Sequence, residues 1–220
     1  MDLSVLIPWR SDQGQRERVL RSLMPAWRRI GAQVCIGLDS GEGPFNCAQA
    51  LNNAYRQARY EHLVMFGADC VPDLEVLTEA ERRLKTGEPW FPLFDSVGYY
   101  SKDSSARIMS GEPCHDFSFE SSVPFCTGVL AVSRHAMTEI GGMDERFVGW
   151  GMEDTAFRRS LMNVHGDRSA IRATLRCLWH EDGGRGQASA ENWRLIREYE
   201  ALGDSYEDTA RYLRERGSFL

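Results

Sequence analysis

Two adjacent acids follow an aromatic, glycine-rich segment in the second half of the chain. Residues 147–151 read Phe-Val-Gly-Trp-Gly, and Glu153 and Asp154 follow at the start of a periodic segment. The pattern predicts a tight loop, walled by the Trp150 ring, that presents both acids in the first turn of a helix, where the helix dipole favours ionised carboxylates. Such an acid suits a general base that takes a proton from a bound hydroxyl. The same residues also suit a simpler structure, in which an acid caps the helix and the tryptophan fills the core.

A second group of potential ligands lies at predicted strand ends. Asp69 ends a buried strand, and a carboxylate there suits Mg²⁺ or Mn²⁺, which could bridge the phosphates of a nucleotide diphosphate. His180 ends the last predicted strand, and Cys177 could reach the same ion if the chain turns. Sulfur together with imidazole and carboxylate favours Mn²⁺ or a softer metal over Mg²⁺. The alternatives are an Asx turn at Asp69 and a structural histidine.

Charged side chains also follow the first two predicted strands. Pro8, Arg10 and Arg16 lie at or after the first strand, and arginine pairs bidentately with phosphate oxygens. Asp39 ends the second strand, where it could accept hydrogen bonds from a ribose or a base edge. Solvated arginines, and turn chemistry before Gly41, are the alternatives.

The hydrophobic pattern predicts the elements that position these residues. Over residues 1–87, short apolar runs alternate with amphipathic segments in the order β-α-β-α-β-α. Pro25 is expected to kink or divide the first helix. In a doubly wound sheet ligands bind beyond the carboxyl ends of the strands, so the three loops there should share one crevice. The strands are expected at 3–8, 34–38 and 62–66, and the helices at 15–30, 45–59 and 73–84.

The second half is less regular. Residues 88–122 predict irregular strands and a mobile excursion, and a charged, glycine-rich loop is expected at 181–186. We expect a single domain, with a nucleotide-binding half (1–87), an acceptor and catalytic half (88–189) and a C-terminal helical segment (190–220). Between them the pattern predicts a strand at 123–133 beginning with Cys126-Thr127-Gly128, a helix to 140, a helix to about 162, a strand at 173–179 and helix over 190–216.

Composition narrows the function classes. The chain has 220 residues, 42% hydrophobic and 26% charged, as expected for one soluble globular domain. No apolar run is long enough to cross a bilayer and no signal peptide is evident, so we expect no membrane anchor and a cytoplasmic, bacterial or phage-encoded setting. The net charge of −6 argues against a general polyanion binder. Six cysteines without a CxxC pair match neither a zinc ribbon nor a thioredoxin motif.

Four motifs occur in an order that resembles the GT-A glycosyltransferases. The resemblance extends over most of residues 3–181, in particular to the β-galactosyltransferases and the catalytic half of the polypeptide N-acetylgalactosaminyltransferases. It implies one α/β domain with the GT-A, Rossmann-like fold of nucleotide-diphospho-sugar transferases and a mixed, largely parallel central sheet. The motifs are Ile-Pro-Trp-Arg (7–10), Phe-Asn-Cys-Ala-Gln-Ala-Leu-Asn (45–52), Phe-Gly-Ala-Asp-Cys-Val-Pro (66–72) and Gly-Trp-Gly-Met-Glu-Asp (149–154).

The resemblance implies roles for the matching positions. Asp69 and His180 would bind the metal together with Cys177, where the family usually has methionine. Glu153 would contact the donor sugar or acceptor, and Asp154 would be the base. The chain departs from the family at Gly67, Cys47 and Met152, where an acid, a basic residue and a glycine are usual. The positions implied in nucleotide-sugar binding are Pro8, Trp9, Arg10, Arg16, Asp39, Asn46, Ala68 and Trp150.

The sequence therefore predicts a metal-dependent glycosyltransferase that uses Mn²⁺ or Mg²⁺. It would transfer a sugar from a nucleotide-sugar donor, a UDP-sugar in the leading interpretation, to an acceptor hydroxyl with inversion. The acceptor is expected to be a glycan, a protein or a small molecule, with a modified nucleic acid less favoured. One alternative is a non-catalytic nucleotide-sugar-binding module, motivated by the three departures. Another is a nucleotidyltransferase, which would not need the tryptophan and acid loop.

Overall fold

A five-stranded sheet of order β2-β1-β3-β7-β4 forms the centre of the protein. The computed structural model describes residues 1–124, 128–181 and 188–220. The first three strands are parallel, β7 runs antiparallel to β3, and β4 runs antiparallel to β7. The expected α/β class with a mixed, largely parallel sheet is confirmed. The strands are β1 (Leu3–Trp9), β2 (Gln33–Leu38), β3 (His62–Met65), β4 (Trp90–Pro92) and β7 (Leu130–Ser133).

Both faces of this sheet are covered, which is why β1 is apolar at nearly every position. Val5 and Ile7 belong to the core on one face and Leu6 to the core on the other, as the two-residue period of a strand requires. The first face packs against α1 (Gln15–Ile30) and α3 (Leu74–Lys85), and the second against α2 (Cys47–Tyr55).

The predicted helices of the first half all form, with two differences. Pro25 lies inside α1 without dividing it, because the turns on both sides are anchored by buried side chains such as Leu23 and Trp27. Helix α2 begins later than expected because the Asn46 side chain accepts a hydrogen bond from the Gln49 N–H and caps it. It also ends earlier, at Tyr55.

A second sheet, of order β6-β5-β8, lies in the half that was expected to be irregular. The segment also contains a helix, α4, and a 3₁₀ turn at Cys114–Asp116. The sequence pattern missed α4 because it buries only Ser105 completely and so carries no continuous apolar stripe. The new elements are β5 (Ser96–Tyr99), α4 (Lys102–Met109), β6 (Ser121–Val123) and β8 (Thr174–Cys177).

The single strand predicted over 123–133 is wrong. Strand β6 ends at Val123 and β7 begins at Leu130, and the two belong to different sheets. Of the expected strand start, Cys126 and Thr127 lie outside the described residues, as does most of the loop predicted at 181–186. The remaining helices follow the prediction closely: α5 (Arg134–Glu139), α6 (Glu153–His165), α7 (Ala190–Ala201) and α8 (Tyr206–Arg216).

A buried ionic cluster ties the C-terminal helices to the segment before α6. Asp144 is 3% exposed and accepts hydrogen bonds from Arg146 Nη2 at 2.6 Å and from Tyr199 Oη at 2.8 Å. Burial acts to raise the pKa of Asp144, but these hydrogen bonds outweigh it and the net pKa lies below the usual range. Arg216 of α8 donates to the Tyr199 hydroxyl and extends the cluster.

Among the described residues, none of the helices combines the length and the apolar character that a membrane span needs.

Candidate active site

Three neighbouring strands lead to candidate side chains at the same edge of the large sheet, and a fourth strand begins there. The carboxyl ends of β2, β1 and β3 lead to Asp39, Arg10 and Asp69. Strand β7 runs antiparallel to β3, so the residues before it lie at this edge too. A Cβ atom added at Gly128 would lie 3.6 Å from Asp154 Oδ2. The candidate metal ligand and one of the paired acids therefore approach the ends of adjacent strands.

Arg10 and Asp39 form an ion pair at the ends of β1 and β2. Arg10 Nε donates to Asp39 Oδ1 at 2.9 Å, its Nη2 donates to Oδ2, and its Nη1 donates to the Gly43 carbonyl at 2.7 Å. The Asn46 N–H also donates to Asp39 Oδ2. Burial acts to raise the pKa of Asp39, and these hydrogen bonds lower it further than burial raises it. Because both oxygens are engaged, a hydrogen bond from a ribose would have to compete with Arg10.

The tryptophan loop packs directly on the loop that follows β2. The Gly149 N–H donates to the Phe45 carbonyl at 3.0 Å, and Asn46 Nδ2 donates to the Glu145 carbonyl at 2.8 Å. Trp150 is 53% exposed, so the interpretation of its ring as part of the core is wrong. The exposed ring is available to a ligand at the tip of a loop that is held on both sides.

Asn192 of α7 supports this loop from the other side. Its side chain is buried, and Nδ2 donates to the carbonyls of Gly151 at 3.0 Å and Val148 at 3.2 Å. No sequence signal marked Asn192, because nothing in the pattern of α7 distinguishes it from an asparagine that faces solvent. It acts on the site by fixing the backbone that carries Trp150.

Replacing Asn192 by alanine is expected to loosen this loop, since it removes side-chain hydrogen bonds that each contribute about 0.5–1.5 kcal/mol to stability. We expect a modest fall in Tm and a loss of turnover of roughly tenfold or more, because small displacements of positioning groups are costly. The matched control is Asn163→Ala, which removes comparable hydrogen bonds to Gly203 and Thr209 away from the site. Equal losses of activity in the two variants would contradict the assignment.

The paired acids occupy the first turn of α6, and neither of them caps it. The N-cap position is Met152, at φ +81°, and no side chain makes a cap hydrogen bond there. The interpretation of Glu153 or Asp154 as an N-cap is therefore wrong. A non-glycine residue at positive φ is backbone strain, which is retained here where the chain turns into the acid pair. The Thr155 N–H donates to Asp154 Oδ1 at 2.7 Å and helps to fix that carboxylate.

Glu153 has a fully buried carboxyl oxygen. Its Oε2 has no hydrogen-bond partner among the described residues. Burial raises the pKa of Glu153 to about 7, and the nearby charge of Asp154 adds to the effect. Neighbouring carboxyls in different environments suit different roles, one holding a proton near neutral pH and the other accepting one.

The raised pKa of Glu153 predicts a pH-dependent stability. In the unfolded chain Glu153 ionises near pH 4.5, whereas in the fold it keeps its proton to about pH 7. The contribution of Glu153 to the free energy of unfolding is fully present below pH 4.5 and is lost as the pH rises through about 7. At pH 8, Glu153→Gln should therefore raise the free energy of unfolding by on the order of 3 kcal/mol. Urea unfolding at pH 4.5 and pH 8 measures the difference, which should vanish at the lower pH.

The exposed-helix counterpart of Glu153 is Glu207, in the first turn of α8. Glu207→Gln is the control, and its effect should change little between the two pH values. If the free energy of unfolding depends on pH in the same way for the wild type and Glu153→Gln, the Glu153 carboxyl does not have a raised pKa in the fold.

The potential metal ligands lie around Asp69. His180 Nε2 is 3.4 Å from Asp69 Oδ2, so the structure brings these two predicted metal ligands together. The ligand atoms of Asp69, Cys70 and Cys177 all lie within 4.8 Å of one another. His180 is not part of that compact group, which it meets through the second oxygen of Asp69. These donors fit a divalent cation. The His180 nitrogen lies beside one oxygen of Asp69, and the sulfurs of Cys70 and Cys177 lie on the other side of the carboxylate.

The other predicted residues differ in their exposure and contacts. Trp9 is 8% exposed, and the Arg16 guanidinium lies 5.7 Å from its ring centroid, so this arginine stacks on the tryptophan. Pro8 is half-buried in β1, and Ala68 is buried after β3. Burial raises the pKa of the Cys47 thiol, and the nearby charges of both paired acids raise it further. Cys47 therefore lies beside the acid pair as a neutral thiol.

A cleft of about 350 Å³ opens beside Asp69 and His180. The Lys102 ammonium lies 4.7 Å from the centroid of the Trp179 ring, and the backbone N–H of Trp179 donates to the buried Ser105 hydroxyl at 2.8 Å. The cleft is also lined by one acid and two phenols that the sequence did not mark. Besides Asp69 and His180 it is lined by Tyr99, Tyr100, Glu120, Leu178 and Trp179.

Comparison with solved structures decides the fold. The catalytic domain of Drosophila β-1,4-galactosyltransferase 7 in complex with xylobiose superposes with a TM-score of 0.60 at 18% identity, covering 90% of this chain and 79% of that one. The protein has the GT-A fold. A variant of the same Drosophila enzyme with manganese, UDP-Gal and xylobiose gives 0.51 at 19% identity, covering 82% of this chain. This GT-A chain spans 66% of that structure, slightly less than two thirds.

A bacterial GT-A structure is also similar. Mycobacterium tuberculosis glucosyl-3-phosphoglycerate synthase, with Mn²⁺, UDP-Glc and phosphoglyceric acid, gives a TM-score of 0.51 at 16% identity, covering 92% of this chain and 79% of that one. The family described as the N-terminal domain of galactosyltransferase matches residues 114–178, which include the paired acids and Cys177. No curated protein sequence matches the chain.

Proposed function

We propose that the protein is a metal-dependent glycosyltransferase that moves a sugar from a UDP-sugar to an acceptor hydroxyl with inversion. The observation that carries the proposal is the placement of Asp69 and His180 beside the end of β3, with Asp154 reaching the start of the neighbouring β7. A diphosphate bound at Asp69 and His180 would leave its sugar facing Asp154.

The donor site is assembled from the loops after β1 and β2. Arg10 is held rigidly by Asp39, and its guanidinium lies 5.6 Å from the Phe45 ring centroid. Pre-positioned charge of this kind binds an anion at a smaller entropy cost than a mobile arginine does. A divalent cation at Asp69, when bound, would neutralise the charge of the leaving diphosphate. The exposed Trp150 ring supplies an apolar wall for the sugar or the acceptor.

The paired acids divide the proton chemistry. Asp154 accepts the proton of the acceptor hydroxyl as that oxygen forms a bond to the anomeric carbon. On the opposite face, the bond between the anomeric carbon and the diphosphate oxygen breaks, and its electrons leave with UDP. Glu153, which holds a proton near pH 7, donates a hydrogen bond to a substrate oxygen instead of competing as a base. Attack from the face opposite the leaving group inverts the anomeric centre.

Incubation of the protein with a panel of UDP-sugars, with and without Mn²⁺, tests the proposal. We expect slow metal-dependent release of UDP with water as the acceptor, and faster release with the correct acceptor. Acceptor arms should include a disaccharide such as xylobiose, a phosphorylated small molecule such as phosphoglycerate, a peptide and a nucleic acid.

Two other outcomes would replace the proposal. Tight UDP-sugar binding without turnover toward any acceptor would favour a non-catalytic binding module, consistent with Gly67, Cys47 and Met152 at positions where the family usually has an acid, a basic residue and a glycine. Pyrophosphate release from a nucleoside triphosphate would favour a nucleotidyltransferase.

A further inference from the structure

Two buried thiols lie against the carboxylate of Asp69. Cys70 Sγ and Cys177 Sγ are 3.3 Å apart, and Cys70 Sγ is 3.6 Å from Asp69 Oδ1. Both cysteines are less than 5% exposed. Paired core cysteines need no explanation beyond packing, but these two share their surroundings with an acid whose side chain is 21% exposed. The carboxylate and the two thiols can together supply ligand atoms to a metal ion. Because the carboxylate reaches solvent, the ion can also enter the site.

Backbone pairing, not loose side chains, brings the thiols together. The Leu178 N–H donates to the Asp69 carbonyl at 2.9 Å, and the Val71 N–H donates to the Arg176 carbonyl at 2.8 Å. These bonds run the segment after β3 antiparallel to the end of β8, with Cys70 directly opposite Cys177. The donor atoms are therefore preorganised by two rigid segments, as a metal site requires.

We propose that Asp69, Cys70 and Cys177 form a thiolate-containing site that binds a borderline-soft divalent cation of the zinc class in preference to Mn²⁺. Thiolates select zinc-class metals, whereas manganese prefers oxygen. In a tetrahedral zinc site adjacent sulfurs are about 3.8 Å apart, and a sulfur and an oxygen about 3.5 Å apart. The corresponding distances here, 3.3 and 3.6 Å, need only small side-chain rotations to match.

The two oxygens of Asp69 face different donors, which separates this site from the proposed diphosphate site. Oδ1 faces the Cys70 thiol, and Oδ2 faces His180 Nε2. Three protein ligands and an open fourth position are the arrangement of zinc sites that admit an exchangeable ligand. The site shares Asp69 with the proposed nucleotide-sugar site but rests on the thiols, so it stands whether or not the protein transfers sugar.

Cobalt(II) titration of the full-length protein, reduced with a phosphine, tests the site without any nucleotide sugar. We expect a near-ultraviolet thiolate-to-cobalt charge-transfer band that saturates at one equivalent and is displaced by Zn²⁺ but not by excess Mn²⁺. Cys70→Ala should lose most of the band and bind Zn²⁺ on the order of 100-fold more weakly. Cys35→Ala, which removes another buried thiol far along the chain in β2, should keep the band.

A wild-type protein without the band, or a Cys70→Ala variant that keeps it at full strength, would overturn the proposal. Circular dichroism establishes that each variant is folded. A second measurement needs no variant: anomalous diffraction from wild-type crystals grown with Zn²⁺ should place the ion against the sulfurs of Cys70 and Cys177. Zinc located only elsewhere on the chain would equally refute the site.

Discussion

Replacing Asp154 by asparagine is expected to reduce sugar transfer by about 10²–10⁴-fold, the usual contribution of a general base. The amide cannot accept the acceptor's proton, yet it keeps the size of the carboxylate and its hydrogen bond from the Thr155 N–H. UDP-sugar binding should change by no more than about twofold, because the base acts mainly in the transition state. Single-turnover kinetics together with calorimetric titration of the donor separate the two effects.

A matched acid elsewhere controls for the loss of a helix-dipole interaction. Asp208 lies in the first turn of α8, as Asp154 lies in the first turn of α6. Asp208→Asn should leave turnover unchanged while losing a similar dipole interaction of about 0.3–1 kcal/mol. If Asp154→Asn turns over at the wild-type rate, the base lies elsewhere, and Glu153 becomes the first candidate.

The second large effect is expected at Asp69. Asp69→Asn removes the anionic oxygens that face His180 on one side and Cys70 on the other. We expect the Mn²⁺ dependence of UDP binding to disappear, with metal-supported affinity falling on the order of 100-fold. Titration of UDP with and without Mn²⁺ measures this directly. The metal-free affinity, supported by Arg10, should be nearly unaffected.

The control for Asp69 is an acid on an exposed loop. Asp95, between β4 and β5, is exposed, and Asp95→Asn should preserve the metal dependence. An Asp69→Asn variant that still binds UDP more tightly with Mn²⁺ than without it would show that the cation sits on other ligands.

The sequence predicted which side chains meet at the edge of the large sheet, because the order of strands and helices along the chain determines where each strand ends. Parallel strands joined by helices place their carboxyl ends together, so the sequence alone assigns Arg10, Asp39 and Asp69 to one crevice. The paired acids could likewise be placed in the first turn of α6 from the aromatic-glycine turn and the periodicity that follows.

What could not be predicted depends on contacts between distant segments. Cys70 and Cys177 are separated by 107 positions, and only the pairing of two strand extensions brings their thiols together. Asn192 supports the tryptophan loop from a helix about 40 residues further along the chain. Helix α4 has little apolar patterning, because the side chain it buries completely is a serine. Periodicity carries no information about such contacts.

The same limit applies to which residues touch a ligand. Arg10 and Asp39 were each interpreted as nucleotide contacts, and the structure pairs them with each other. Trp9 belongs to the motif at the end of β1 but is buried beneath Arg16. A motif identifies the neighbourhood of a site, whereas the division between lining and supporting residues follows from packing.

A crystal structure with Mn²⁺ and a UDP-sugar that the protein hydrolyses slowly would locate the cation, the diphosphate and the sugar in the proposed site. We expect a cation within about 2.3 Å of an Asp69 oxygen, diphosphate oxygens on that cation, and the anomeric carbon facing Asp154 beneath the Trp150 ring. A nucleotide bound at another edge of the sheet, or a sugar whose anomeric carbon faces away from both Glu153 and Asp154, would contradict it.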